Sequence, residues 1–228
     1  MKTINRILRV FSVLAVLTAV LLLIFFNKGE GELIGSTGTV IISSFLIYFA
    51  TYIDSILTKR NMKISNTLYL ILLLTTFLSV GGGFIFRFYI IFNYYDTIIH
   101  FLNGGIIVII AFAVLKYFAR DDNKHTASLI IVAVLVSISV GTIWEIYEFA
   151  VDIIVDGSNM QRFRNVNNPE EIWEGQKALM DTMVDLIVDT LGAILAGFML
   201  YIDKKNGRKF INKISFEHIE NNELEKDN

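Results

Sequence analysis

The chain has 228 residues, of which 54% are apolar and only 18% are charged, and its formal net charge at pH 7 is −2. Soluble domains usually carry about a quarter of charged residues, so this composition excludes an ordinary soluble protein. Long runs of Ile, Leu, Val and Phe exclude disorder for nearly the whole chain. The sequence contains no cysteine, which excludes disulfides and restricts any metal site to oxygen and imidazole ligands.

Six apolar segments are long enough to cross a membrane, because a helix needs about 20 mostly apolar residues to span the hydrocarbon core. These segments are residues 7–26, 36–55, 66–87, 97–117, 127–150 and 183–202. The first lacks a small-residue cleavage site, so we expect an uncleaved helix. We therefore predict an all-α integral membrane bundle of six transmembrane helices in one domain, residues 1–202, followed by a polar cytoplasmic tail, residues 203–228.

The orientation follows from the basic residues, since Lys and Arg are enriched in cytoplasmic loops. With the N-terminus inside, 15 of the 20 Lys and Arg residues fall in cytoplasmic segments. This distribution predicts that both termini are cytoplasmic and that the protein resides in the plasma membrane, with the lipid bilayer as its partner. It leaves the outer segments strongly acidic, an asymmetry that the net charge conceals.

Ionisable side chains interrupt three of the predicted spans at helical spacing. The groups are Asp96 with His100, then Glu145 with Glu148 and Asp152, and finally Asp181 with Asp185 and Asp189. Each group forms a stripe on one helical face, and all lie on the predicted outer side. Because a charge at membrane depth costs about 2.5–3.5 kcal/mol, we expect the last three helices to pack with these stripes facing one another. Arg87 is a candidate counter-charge.

A divalent cation is one explanation for so many carboxylates. Carboxylates with one imidazole suit Mg²⁺, Mn²⁺ or Ca²⁺ and also admit Zn²⁺. The candidate ligands are Asp96, His100, Glu145, Glu148, Asp181, Asp185 and Asp189. We predict a metal-dependent hydrolase or transferase that acts on a lipid-linked or cell-envelope substrate, in which Asp96, His100 and Glu145 are the candidate catalytic residues.

Two other functions use the same residues. Buried carboxylates and His100 could carry protons or a cation through a small transporter. Alternatively, the polar stripes only lock the helices of a non-catalytic scaffold together. No nucleic-acid-binding patch is visible, so no nucleic acid is expected as a partner, and the oligomeric state stays open.

Three further motifs carry structural expectations. Gly81, Gly82 and Gly83 suggest close packing more than a hinge or a broken helix. Trp144 is expected in the outer aromatic belt. The segment Asn168-Pro169-Glu170-Glu171 has the pattern of a helix N-terminus, so a short helix is expected to lead into the last span.

The motifs of the last three spans resemble those of a known family. They are Tyr95-Asp96-x-x-x-His100-Phe101-x-x-Gly104, Trp144-Glu145-x-x-Glu148-Phe149 and Asp181-Thr182-x-x-Asp185-x-x-x-Asp189-x-x-Gly192-Ala193. They are similar to the YjdF-type family of bacterial polytopic membrane proteins, a domain of unknown function. The final acidic helix is more loosely similar to VanZ-like membrane proteins, which implies a link to cell-envelope chemistry, although those proteins often carry Asn where this chain has Asp189.

Overall fold

The computed structural model describes residues 1–26, 31–119, 125–155, 158–165 and 168–219. The chain forms two compact units, residues 1–96 with 212–228 and residues 97–211. Four basic residues used in the orientation argument, Lys28, Arg120, Lys124 and Lys226, lie outside the described residues, as does the end of the predicted tail.

The first unit is built from helices and one short β-ribbon. Its elements are α1 (Lys2–Phe26), α2 (Gly31–Ala50), α3 (Ile53–Thr58), β1 (Met62–Ile64), α4 (Asn66–Thr76), a π-helical segment (Phe77–Ile85), α5 (Phe88–Ile91) and β4 (Phe216–His218). Strands β1 and β4 pair antiparallel, with Lys63 opposite Glu217. Strand β4 therefore lies beside the segment that links α3 to α4.

Polar contacts join the ends of three helices in the first unit. The Arg9 Nε atom donates to Thr51 Oγ1 at 2.8 Å, and the Asn5 amide donates to the Thr51 carbonyl at 3.3 Å. The Tyr69 hydroxyl donates to the same carbonyl at 2.9 Å. The start of α1, the end of α2 and the start of α4 thus lie at one end of this unit, so α1 and α2 run in opposite directions.

The glycine run is buried and packed, as expected from its sequence. A Cβ atom on Gly82 would overlap the Tyr95 hydroxyl, and one on Gly83 would overlap the Tyr89 ring. The backbone here is wound as a π-helix, in which Phe86 N donates to Gly81 O at 2.9 Å. The chain then turns at Arg87, which is exposed and has a left-handed φ of 58°.

The second unit contains three long helices and a hairpin. Its elements are α6 (Tyr95–Ala119), whose first two residues precede the unit, α7 (Thr126–Ile154), β2 (Arg164–Asn165), β3 (Asn168–Ile172) and α8 (Met180–Lys205). Val108, Phe112, Ala133 and Ala193 are fully buried, whereas many large apolar side chains are exposed and suit contact with lipid. A 3₁₀ turn, Ile211–Lys213, follows α8.

The described residues agree with the predicted all-α membrane protein, although they contain fewer candidate membrane spans than the predicted six. Five helices of the described residues are long and apolar enough to cross a membrane: α1, α4 with the π-helical segment, α6, α7 and α8. The described apolar part of α2, Thr37–Ala50, has fewer than 18 residues. The helix at the predicted span 36–55 is α2, Gly31–Ala50, which ends five residues before the predicted end and is followed by a turn.

The prediction of a short helix at Asn168 is wrong. Asn168–Ile172 is strand β3, paired antiparallel with β2 through the register Arg164 with Ile172 and Asn165 with Asn168. A two-stranded ribbon consists of edge strands, where a proline without an N–H group is tolerated. The last long helix begins at Met180 instead.

Candidate metal centre

Glycines bring the backbones of α6 and α8 into close contact. A Cβ atom on Gly104 would overlap the Asp189 backbone, and one on Gly192 would overlap the Phe101 carbonyl. Helix α7 joins the same crossing, because Ser137 Oγ donates to Gly104 O at 2.7 Å. Small residues at membrane helix contacts allow such an approach, and here they bring acidic and histidine side chains of the three helices to one crossing.

The Asp189 carboxylate lies at the centre of this crossing. A Cβ atom on Gly141 of α7 would be only 2.6 Å from Asp189 Oδ2, so the glycine leaves room for the carboxylate. The same oxygen is 3.2 Å from Nδ1 of His100 on α6. Both side chains are buried, which strengthens their interaction because the surroundings have a low dielectric constant.

The side chains of Asp96, His100 and Asp185 converge within metal-binding distance. One ligand atom from each lies within 4.8 Å of the other two. Asp96 stands one turn before His100 on the continuous helix α6, and Asp185 stands one turn before Asp189 on α8. Two carboxylates and an imidazole form a ligand set that suits Mn²⁺, Mg²⁺ or Zn²⁺. Three of the seven predicted ligands are thus brought together.

Glu145 of α7 lies near this group but is not one of the three residues whose ligand atoms converge. Glu145 is only 4% exposed, and neither carboxylate oxygen accepts a well-aligned hydrogen bond from the described residues. The Thr182 hydroxyl lies beside the Glu145 carboxylate. His100, Asp181 and Asp189 also interact electrostatically with that carboxylate. A buried carboxylate without good partners is costly, so a cation or a hydrogen-bond donor would stabilise it.

The remaining predicted acids have protein partners. Glu148 is buried and accepts a hydrogen bond from the Trp144 indole at 2.8 Å, so this tryptophan also orients a carboxylate, while its place in the aromatic belt stays a prediction. The Arg162 guanidinium lies 3.9 Å from Asp181. The Asp152 carboxylate accepts from Met160 N at 2.8 Å and anchors the following loop.

A cavity of about 750 Å³ lies beside Glu145 in the second unit. Six of its lining residues are Glu145, Ile146, Phe149, Gln161, Thr182 and Leu186. The Gln161 amide donates to Thr182 Oγ1 at 2.8 Å. Neither Gln161 nor Thr182 is among the predicted site residues. Thr182 follows Asp181 at the start of the acidic stripe, but Gln161 lies in a loop, where no periodicity marks a side chain that points inward.

Comparison with known proteins identifies relatives of this chain. Residues 9–206 match the family described as a predicted membrane protein, DUF2238. An uncharacterised protein of Thermotoga maritima is 32% identical over 132 residues, which are 58% of this chain and 59% of the relative. The chain thus aligns with less than two thirds of that relative's length. No solved structure is significantly similar.

Proposed function

The chain belongs to the DUF2238 family of predicted membrane proteins. That description states no activity, so we propose a function from the geometry of the site. We propose that the protein is a multi-pass membrane enzyme that depends on a divalent cation and acts on a lipid-linked or cell-envelope substrate. The observation that carries this proposal is the convergence of Asp96, His100 and Asp185 within 4.8 Å. The loose resemblance to VanZ-like proteins supports an envelope substrate.

Asp96, His100 and Asp185 are the proposed ligands, and Asp189 holds the imidazole. A carboxylate on one ring nitrogen fixes the orientation and tautomer of a ligating histidine and leaves the other nitrogen for the cation. When bound, a divalent cation polarises a phosphoryl or carbonyl oxygen or lowers the pKa of water. Glu145 is the proposed general base, since it lines the cavity and its buried carboxylate interacts electrostatically with His100 and Asp189 of the cluster. The roles of Glu148 and Asp181 as further ligands stay predictions.

The proposed topology has six crossings, both termini in the cytoplasm and the cluster on the outer side of the plasma membrane. The contacts of Thr51 with Arg9 and Asn5 support a crossing by α2, because they return the chain to the start of α1. The pairing of Lys63 with Glu217 requires those two segments to share one side. The basic residues support the cytoplasm as that side.

The distribution of buried charge favours a site over a pathway through the membrane. The buried acidic and histidine side chains of the described residues are His100, Glu145, Glu148, Asp185 and Asp189. All five lie near one end of α6, α7 and α8. A relay of ionisable groups across the membrane would favour a transporter, and since the buried groups lie at one end, the enzyme is the better-supported alternative.

Equilibrium dialysis tests the proposal. The full chain in lipid nanodiscs is dialysed against Mn²⁺, and bound metal is measured by elemental analysis. The proposal expects about one ion per chain and loss of most of it in Asp185→Asn, because carboxylate ligands bind hard divalent cations. Asp54→Asn, an acid of α3 far from the cluster in sequence, is the matched control and should match the native protein. Equal metal content in the native protein and Asp185→Asn contradicts the proposal.

A further inference from the structure

The cavity beside Glu145 has walls of two kinds. One part is apolar and open to the surface, where the lining residues Ile146, Phe149, Ile153 and Leu179 are 53–67% exposed. In a membrane, side chains exposed on the apolar part of a helix contact lipid. The other part is polar, because Glu145, Gln161 and Thr182 line it, and the Glu145 carboxylate is buried directly behind this wall. The cavity therefore lies between an exposed apolar surface and Glu145, the residue beside the acidic cluster.

The charge of the lining selects the headgroup of an occupant. Among the described residues, no Lys or Arg lines this cavity, whereas Glu145 and Asp152 do. Asp152 is engaged by the backbone N–H groups of Met160 and Gln161. Glu145 has both oxygens buried without a well-aligned hydrogen bond. A hydrogen-bond donor from an occupant would complete it, whereas an anionic group placed beside Glu145 would meet like charge.

The volume of about 750 Å³ is within the range of small-molecule and lipid sites. We infer that the cavity binds an amphiphile that enters from the bilayer, lays its apolar chain over Ile146, Phe149 and Leu179, and donates a hydrogen bond from an ammonium or hydroxyl headgroup to Glu145. The inference deepens the proposed function, on which it rests for the catalytic fate of the bound lipid. The binding itself requires no metal.

Photo-crosslinking of the full chain in nanodiscs tests this inference. Three single-chain probes share a diazirine in the chain and end in an ammonium, a hydroxyl or a methyl ether, and peptide mapping locates the label. Labelling by the first two is expected on α7 and α8 at the cavity. The methyl ether should label at least about fivefold less, because it leaves the buried carboxylate without a donor. Equal labelling by all three probes overturns the headgroup assignment.

Matched variants locate the site. Leu186→Trp fills the cavity, while Ile187→Trp places the same ring on the neighbouring residue, which is 53% exposed and does not line the cavity. Labelling should fall about tenfold or more in Leu186→Trp and stay unchanged in Ile187→Trp. Ala178→Phe is the second blocking variant if Leu186→Trp does not fold. Unchanged labelling in a folded blocking variant overturns the inference.

Two further variants separate the inference from the metal site. Glu145→Gln keeps an acceptor but removes the charge, so labelling by the ammonium probe should fall more than labelling by the hydroxyl probe. Asp185→Asn should keep full labelling. If native protein holds no metal but labelling follows these expectations, the proposed enzyme fails and the lipid site stands. If metal binds but the cavity is not labelled, the lipid site fails alone.

Discussion

Nδ1 of His100 lies 3.2 Å from Oδ2 of Asp189, although 89 residues separate the two in the sequence. Each residue stands one turn after a carboxylate of the metal group, His100 after Asp96 on α6 and Asp189 after Asp185 on α8. The pair thus links the two helices that carry all three proposed ligands. It would fix the imidazole before a cation binds, since partners of ligating histidines set the ring orientation.

Replacement of Asp189 by Ala should weaken cation binding without abolishing it. Loss of the partner of a ligating histidine typically lowers metal affinity about 10–100-fold. Competition with a fluorescent metal indicator measures the dissociation constant for Mn²⁺, and Asp54→Ala is the matched control. An affinity equal to that of the native protein would mean that Asp189 does not orient a ligand.

Replacement of Gly192 by Ala should separate α6 from α8. The added methyl group would overlap the Phe101 carbonyl, and such overpacking costs about 1–3 kcal/mol. We expect a lower midpoint of thermal unfolding, measured in detergent by the loss of the monodisperse peak, and weaker metal binding.

Gly38→Ala is the matched control for that variant, because a Cβ atom there meets no atom within 4 Å. It should be neutral or more stable by about 0.5–1 kcal/mol, since alanine favours the helix. If both variants unfold at the same temperature, the close contact of α6 with α8 does not hold the site together.

Single cysteines test the topology cleanly, because the native chain has none. A membrane-impermeant maleimide should label Glu174→Cys on intact spheroplasts and should label Lys2→Cys, Lys59→Cys and Lys209→Cys only after permeabilisation. Because α1 crosses the membrane in the proposed topology, Lys2 and Lys59 respond alike if α2 also crosses and oppositely if it does not. The reverse labelling pattern contradicts the proposed orientation, and opposite responses of Lys2 and Lys59 contradict the crossing by α2.

Cation affinity should depend on pH in one direction. Protons compete with the metal for imidazole and carboxylate, so affinity should be full near pH 7 and fall as the pH is lowered to about 5. Titration of Mn²⁺ at several pH values measures this dependence. Binding that stays constant over this range would indicate a site without these titratable ligands.

The sequence predicts the helices well because their length and apolar character are local properties. It also predicts that the polar stripes of α6, α7 and α8 face one another. In the structure, five of their ionisable side chains are buried. The sequence does not predict which atoms converge. Helical spacing defines a face but not the rotation and sliding of one helix against another, and here the contacts at Gly104 and Gly192 decide both.

Other features have no periodic signal. The glycine run is wound as a π-helix, and aromatic rings from later in the chain fill the space beside Gly82 and Gly83. Strand β3 resembles a helix start in sequence, because Asn and Pro suit both. Glu148 is held by a tryptophan on its own helix, whereas the lining residue Gln161 comes from a loop.

Electron spin-echo spectroscopy of the Mn²⁺-loaded protein tests the central claim most directly, because it detects a nitrogen atom bonded to the ion. The chain has three histidines, and His100 is the proposed ligand. We predict an imidazole nitrogen coupling in the native protein that disappears in His100→Gln and persists in the control variant His125→Gln. The absence of coupling in the native protein, or its persistence in His100→Gln, would contradict the proposed metal centre.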